Sequence, residues 1–120
     1  MSHTEFISKV KQQKTENTFV LYKYIPETGE RIEYKKAFSY CLIGRQSECN
    51  ISLSSDLCSR YHSIIYFNDD VLNVTDLDSR QGTFVVDFQQ GKEMSCERVT
   101  PFAEQQLKTG DVVKIVNDFF

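Results

Sequence analysis

The chain has 120 residues, 14 basic and 17 acidic, for a formal net charge of −3, and 40% of it is hydrophobic. That is enough apolar material for one core and one domain, burying roughly two-thirds of the surface the unfolded chain exposes. A mildly acidic balance argues against direct nucleic-acid or membrane binding, both of which need surplus Lys and Arg. No apolar run approaches the ~20 residues that span a bilayer. Residues 1–6 have neither the basic nor the apolar region of a secretory signal, so an intracellular protein is expected. Val, Ile, Thr, Tyr and Phe outnumber Ala, Leu and Met by 41 to 11, which favours sheet over helix.

Residues 1–17 are polar apart from Phe6, Ile7 and Val10, and are expected to form a flexible or loosely docked arm ahead of a domain over residues 18–120. Residues 18–25 are a dense β-propensity run. Pro26-Glu-Thr-Gly29 then supplies a turn, and residues 31–34 alternate, so the two runs read as a hairpin. Further strands are expected over 40–43, 50–53, 63–67, 71–76 and 82–86, with a brief one at 98–100 and a last one over 112–116. Asn68-Asp-Asp70 and Leu107-Lys-Thr-Gly110-Asp111 are turn signals between them. No stretch sustains a 3.6-residue period, and 102–107 is at most one helical turn. Short strands spaced roughly 8–12 residues apart, with turn residues between, mark a β-sandwich. The expected fold class is therefore all-β, with little or no helix.

Cys41, Cys49, Cys58 and Cys96 contain no C-x-x-C pair and are expected to be reduced thiols. The series Cys41, Cys49, Cys58, His62 loosely suggests three-cysteine, one-histidine zinc ligation. Such fingers space their ligands tightly around one ion, whereas here the candidates are interleaved with strand-like text. No metal and no cofactor are expected. A general-base role for His62 has no nucleophile, second carboxylate or metal cluster to accompany it, so no enzyme is expected.

Four pieces remain, and they lie in order: Ile43-Gly44-Arg45; Ser59-Arg60-Tyr61-His62; Asp76-Leu-Asp-Ser79 running into Gly82-Thr83-Phe84-Val85; and Leu107-x-x-Gly110-Asp111. Together they resemble the forkhead-associated (FHA) domain, whose pattern reads G-R, S-x-x-H, N-G-T and L-x-x-G-D. The resemblance covers about residues 18–118. It implies a sandwich of about eleven strands, without catalytic apparatus, whose loops at one end bind phosphothreonine in a partner protein. By resemblance Arg45, Ser59 and Arg60 grip the phosphate, which carries about −1.5 to −2 charges and three acceptor oxygens. Arg80 and Gln81 stand where the family places a small hydroxyl residue and the asparagine that holds the peptide main chain. Gly44, His62, Gly82 and Thr83 match positions that shape the binding loops.

Gln81 is one methylene longer than asparagine, and Arg80 either adds charge or crowds the groove. The phosphate grip is therefore kept while the peptide grip departs from the pattern. Within the family, CLIGRQSEC at 41–49 followed by Ser59-Arg-x-His62 is most similar to the amino-terminal domains of nuclear checkpoint and chromosome proteins, DNA-damage checkpoint mediators among them. That implies a nuclear address, a place in DNA-damage or cell-cycle signalling, and for some members self-association. A second reading follows: an FHA-fold homodimerisation or docking module with weak phosphothreonine binding. Its surface would come from Phe6, Phe119, Phe120 and the Tyr22/Tyr24 face, unless these residues pack onto their own sandwich.

Overall fold

The computed structural model describes residues 1–120. One helix, α1 (His3–Gln12), precedes eleven strands: β1 (Phe19–Ile25), β2 (Glu30–Phe38), β3 (Tyr40–Gly44), β4 (Ile51–Ser52), β5 (Ser63–Asn68), β6 (Val71–Asp76), β7 (Thr83–Gln89), β8 (Lys92–Arg98), β9 (Gln105–Gln106), β10 (Val112–Ile115) and β11 (Asp118–Phe119). They form a six-stranded sheet in the order β2-β1-β11-β10-β7-β8 and a five-stranded sheet in the order β4-β3-β5-β6-β9. All ladders are antiparallel except β3–β4, which is parallel. The all-β sandwich is thus the observed fold. No helix is long and apolar enough to cross a membrane.

The two-residue period of the strands sorts the core. Cys41, Ile43, Ile65 and Val74 point between the sheets, where they meet Val113, Ile115 and Phe120. The intervening residues Leu42, Ile64 and Tyr66 point out through the opposite face of the five-stranded sheet. They are buried nonetheless, because α1 lies over them with Phe6, Ile7 and Val10 facing inward. A strand run buried on both faces, such as residues 63–66, needs two covers. Here the second sheet and the helix supply them.

Residues 1–17, expected as an arm, therefore contain a docked helix. It begins at a capping box: Ser2 Oγ accepts from the Glu5 N–H at 3.2 Å, and the Glu5 carboxylate accepts from the Ser2 N–H at 3.4 Å. Phe6 meets Tyr66 edge-on, with ring centroids 5.6 Å apart. Burying its three apolar side chains contributes roughly 1.5–3 kcal/mol each.

Two further expectations differ from the fold. The helical turn considered at 102–107 is instead a two-residue strand, since Gln105 and Gln106 pair with Val74 and Asn73 on the edge of β6. Residues 92–98 are a full strand, pairing Arg98 with Phe84 and Cys96 with Val86. All seven of its residues are exposed, so it lies at the sheet edge without the apolar alternation that betrays a half-buried strand.

Candidate functional site

Three connections meet at one end of the sandwich: residues 45–50 after β3, 53–62 between β4 and β5, and 77–82 between β6 and β7. Backbone bonds tie the first two together. The Arg45 N–H donates to the Ser59 carbonyl at 3.0 Å, Gln46 to Arg60 at 3.2 Å, and His62 to Ile43 at 2.9 Å. This close approach depends on Gly44. A Cβ there would lie 2.2 Å from the Arg60 carbonyl oxygen, so any side chain would force the loops apart.

The third connection is held through Ser59 and His62. Ser59 Oγ accepts from the Arg80 N–H at 3.2 Å. Wholly buried His62 accepts at Nδ1 from the Ser59 N–H, at 3.2 Å, and donates from Nε2 to the Gly82 carbonyl, at 2.8 Å. A backbone N–H can only donate, so Nδ1 carries no proton and the ring is the neutral Nε2–H tautomer. Burial holds the imidazole pKa below its ordinary 6.5, outweighing the Gly82 hydrogen bond and the nearby Asp76 charge that favour protonation. His62 is thus a strut between two loops.

Beneath the third connection sits a buried polar cluster. Asp76 accepts from the Ser79 N–H at 3.0 Å, the Ser79 hydroxyl at 2.6 Å and the Thr83 hydroxyl at 2.6 Å. Ser79 Oγ accepts in turn from the Gly82 N–H at 3.0 Å, and Thr83 Oγ1 bonds with Ser63 Oγ. Every buried side-chain polar atom of the molecule has a partner, as a buried carboxylate requires. The chain turns through Asp78 (φ 61°) and Gly82 (φ 86°); Asp tolerates this region and Gly enters it freely. Asp76, Ser79 and Ser63 carry no role in the sequence reading, although Asp76-x-x-Ser79 after a strand is a turn signal.

On top of this scaffold the side chains of Arg45, Arg60, Arg80 and Gln81 are exposed, with Ser59 half-buried among them. The one ion pair of the chain, Lys23–Asp118 at 3.7 Å, lies elsewhere. The acidic side chains on the same loops do not quench the arginines: Glu48 is instead bonded to the Tyr61 hydroxyl, and His3 of α1 stacks on that ring at 5.0 Å. The structure therefore gathers Arg45, Ser59, Arg60 and Arg80 on one rim, Gln81 beside them, and Gly44, His62, Gly82 and Thr83 underneath. The rim can offer guanidinium forks and a hydroxyl to a dianion.

Other candidates are dispersed. No group of three or more His, Cys, Asp or Glu side chains is placed to hold a metal. Cys41 and Cys58 lie in the inter-sheet core, while Cys49 belongs to the cluster under α1. Burial pushes the Cys41 thiol up to about 12 and Cys58 to about 11, far from thiolate chemistry. Of the residues considered for a dimer surface, Phe6 and Phe120 are buried in their own fold and Phe119 and Tyr24 both pack against Phe88. Tyr22 alone is exposed, at 42%. An apolar cavity of about 820 Å³, lined in part by Phe19, Leu21, Ile65 and Leu72, includes none of the rim residues.

The FHA-domain family model matches residues 41–116, most of the sandwich and all three connections. The chain belongs to the FHA domain family. FHA domains are non-catalytic, phosphothreonine-binding interaction modules. The fold is similar to that of an FHA domain studied for its phosphothreonine-dependent interactions (22% identity, TM-score 0.54, covering 84% of this chain and 92% of that one). It is also similar to the FHA domain of an Arabidopsis thaliana hypothetical protein (20% identity, TM-score 0.59, 89% and 88%). EmbR of Mycobacterium tuberculosis, solved with a low-affinity phosphopeptide, matches at 21% identity and TM-score 0.58; 98% of this chain covers 27% of that one. At these identities the likeness is one of fold. No curated protein matches the chain in sequence.

Proposed function

We propose that the domain binds a phosphothreonine peptide on the rim formed by Arg45, Ser59, Arg60 and Arg80, with Gln81 holding the peptide main chain. The observation that carries this is that backbone hydrogen bonds bring Arg45 and Arg80 onto Ser59, beside Arg60, while all three guanidinium groups stay exposed and without an ion pair. Ser59 Oγ already accepts from the Arg80 N–H, which leaves the hydroxyl hydrogen to donate to a phosphate oxygen. Charged hydrogen bonds of this kind contribute about 1.5–3 kcal/mol each. The recognising unit is residues 18–120, and α1 braces the loop through His3 and Tyr61.

Gln81 sets the strength. Its extra torsion must be frozen to reach the peptide, at about half a kcal/mol, and displaced hydrogen bonds add ~1 kcal/mol each. Wild-type affinity is therefore modest, and Gln81→Asn, alone or with Arg80→Thr, strengthens it. The sequence likeness to amino-terminal domains of nuclear checkpoint proteins supports a nuclear partner in DNA-damage signalling. The test is a calorimetric titration of one peptide in threonine, phosphoserine and phosphothreonine forms, next to sedimentation of the free domain. The account requires phosphothreonine to bind best, with phosphoserine about fourfold weaker for one lost methyl burial of ~0.8 kcal/mol. Equal curves for all three forms would reject it.

A further inference from the structure

Four of the five arginines of the chain gather at one end of the fold, Arg31 on β2 being the exception, and none of the nine lysines lies on the loops there. Arg45, Arg60 and Arg80 stand on the three converging loops, and Arg98 ends β8 beside them; no lysine lies on those loops. Lysine serves as a point charge, whereas the planar guanidinium fork matches carboxylate and phosphate oxygens two at a time. A rim built from arginine alone is shaped for such anions.

Arg98 is placed there by the ladder. It pairs with Phe84, and the next residue, Val99, donates its N–H to the Thr83 carbonyl at 2.8 Å. Its guanidinium lies over Gly82: a Cβ at Gly82 would sit 2.8 Å from Nε, 3.0 Å from Cζ and 3.2 Å from Nη2 of Arg98. The missing side chain at Gly82 is what lets the guanidinium cross the loop directly next to Gln81. The residue is exposed and forms no ion pair, with Glu97 beside it in sequence and Asp78 on the adjoining loop both unbonded to it. Nothing in the FHA pattern at 41–116 that the sequence carries includes Arg98.

We propose that Arg98 reads a second anionic group on the ligand peptide, a carboxylate or a further phosphate near the phosphothreonine. The inference rests on the phosphopeptide reading of the rim. The phosphothreonine occupies Arg45, Ser59 and Arg60, its main chain runs past Gln81, and the adjacent side chain of the peptide meets the Arg98 fork across Gly82.

The experiment walks a single glutamate, then a single phosphoserine, through the positions flanking phosphothreonine in an otherwise neutral peptide. Binding is measured by calorimetry for wild type, Arg98→Gln, Arg98→Lys and Arg45→Ala. Wild type gains roughly tenfold in affinity at one or two positions. Arg98→Gln loses that gain yet binds the neutral phosphothreonine peptide as wild type does, and Arg98→Lys keeps part of the gain. A larger gain for phosphoserine than for glutamate identifies a second phosphate as the preferred group; the reverse identifies a carboxylate. A gain that survives in Arg98→Gln overturns the proposal, as does wild type that binds the phosphothreonine peptide with no preference at any position. Wild type that binds none of the phosphothreonine peptides overturns the underlying reading instead.

Discussion

His62 Nε2 donates to the Gly82 carbonyl at 2.8 Å across twenty residues of chain. With Nδ1 accepting from Ser59, one neutral ring joins the loop that carries Ser59 and Arg60 to the loop that carries Arg80 and Gln81. A proton on Nδ1 would face the Ser59 N–H, so the bond would become a repulsion and the strut would fail.

The pH dependence follows from that geometry. His62 titrates below 6.5 when folded and at about 6.5 when unfolded. Above the unfolded value both states are neutral and His62 adds no pH dependence; as pH falls below 6.5 the unfolded state takes up the proton first and stability declines. A histidine NMR titration should find the His62 ring more than half neutral at pH 6.5. A Tm falling between pH 7 and 5 accompanies it, and a His62 midpoint at or above 6.5 would contradict the strut.

Gly44→Ala should damage the fold and the rim together. The added methyl meets the Arg60 carbonyl at 2.2 Å, backbone that cannot swing away like a side-chain tip. Overpacking costs typically 1–3 kcal/mol, and this contact belongs at the upper end. Urea unfolding measures it; a midpoint unchanged from wild type would show that the loops are looser than this packing implies.

Thr83→Val keeps the shape and removes the hydroxyl that bonds Asp76 and Ser63. Leaving a buried carboxylate one donor short costs about 1–3 kcal/mol. Chemical denaturation of the variant checks this, and a loss under half a kcal/mol would refute the role given to the Asp76 cluster.

Phe6→Ala tests whether α1 belongs to the domain. The ring is 8% exposed and packs on Tyr66, so its loss should cost about 2–4 kcal/mol. Amide exchange on β3 and β5 should also quicken where Leu42 and Ile64 lose their cover. Protection unchanged from wild type would return residues 1–17 to the status of a loose arm.

Legibility from sequence followed the amount of burial. Strand β6 was readable to the residue, Val71–Asp76, because an Asn-Asp-Asp turn precedes it and a run with Val71, Leu72, Val74 and Thr75 follows at once. Helix α1 escaped because it offers only Phe6, Ile7 and Val10 to a periodicity count, although its Ser2-x-x-Glu5 box was present. Strand β8 escaped because an exposed edge strand needs no apolar alternation. The rim residues were legible only as motifs; the contacts that assemble them, from Asp76, Ser79 and Ser63, are set by chain crossings no local pattern records. Arg98 reaches the rim only because β8 pairs with β7.

In the proposed binding mode Arg45 helps hold a phosphate on this rim. Calorimetric titration of wild type and Arg45→Ala with one phosphothreonine peptide tests it directly, with circular dichroism confirming that exposed Arg45 is not needed for folding. Removing one charged contact of about 2–3 kcal/mol lowers affinity by roughly thirty- to 150-fold. The account predicts binding by wild type that weakens with added salt and heat signals at background for Arg45→Ala. Arg45→Ala binding as tightly as wild type would contradict it.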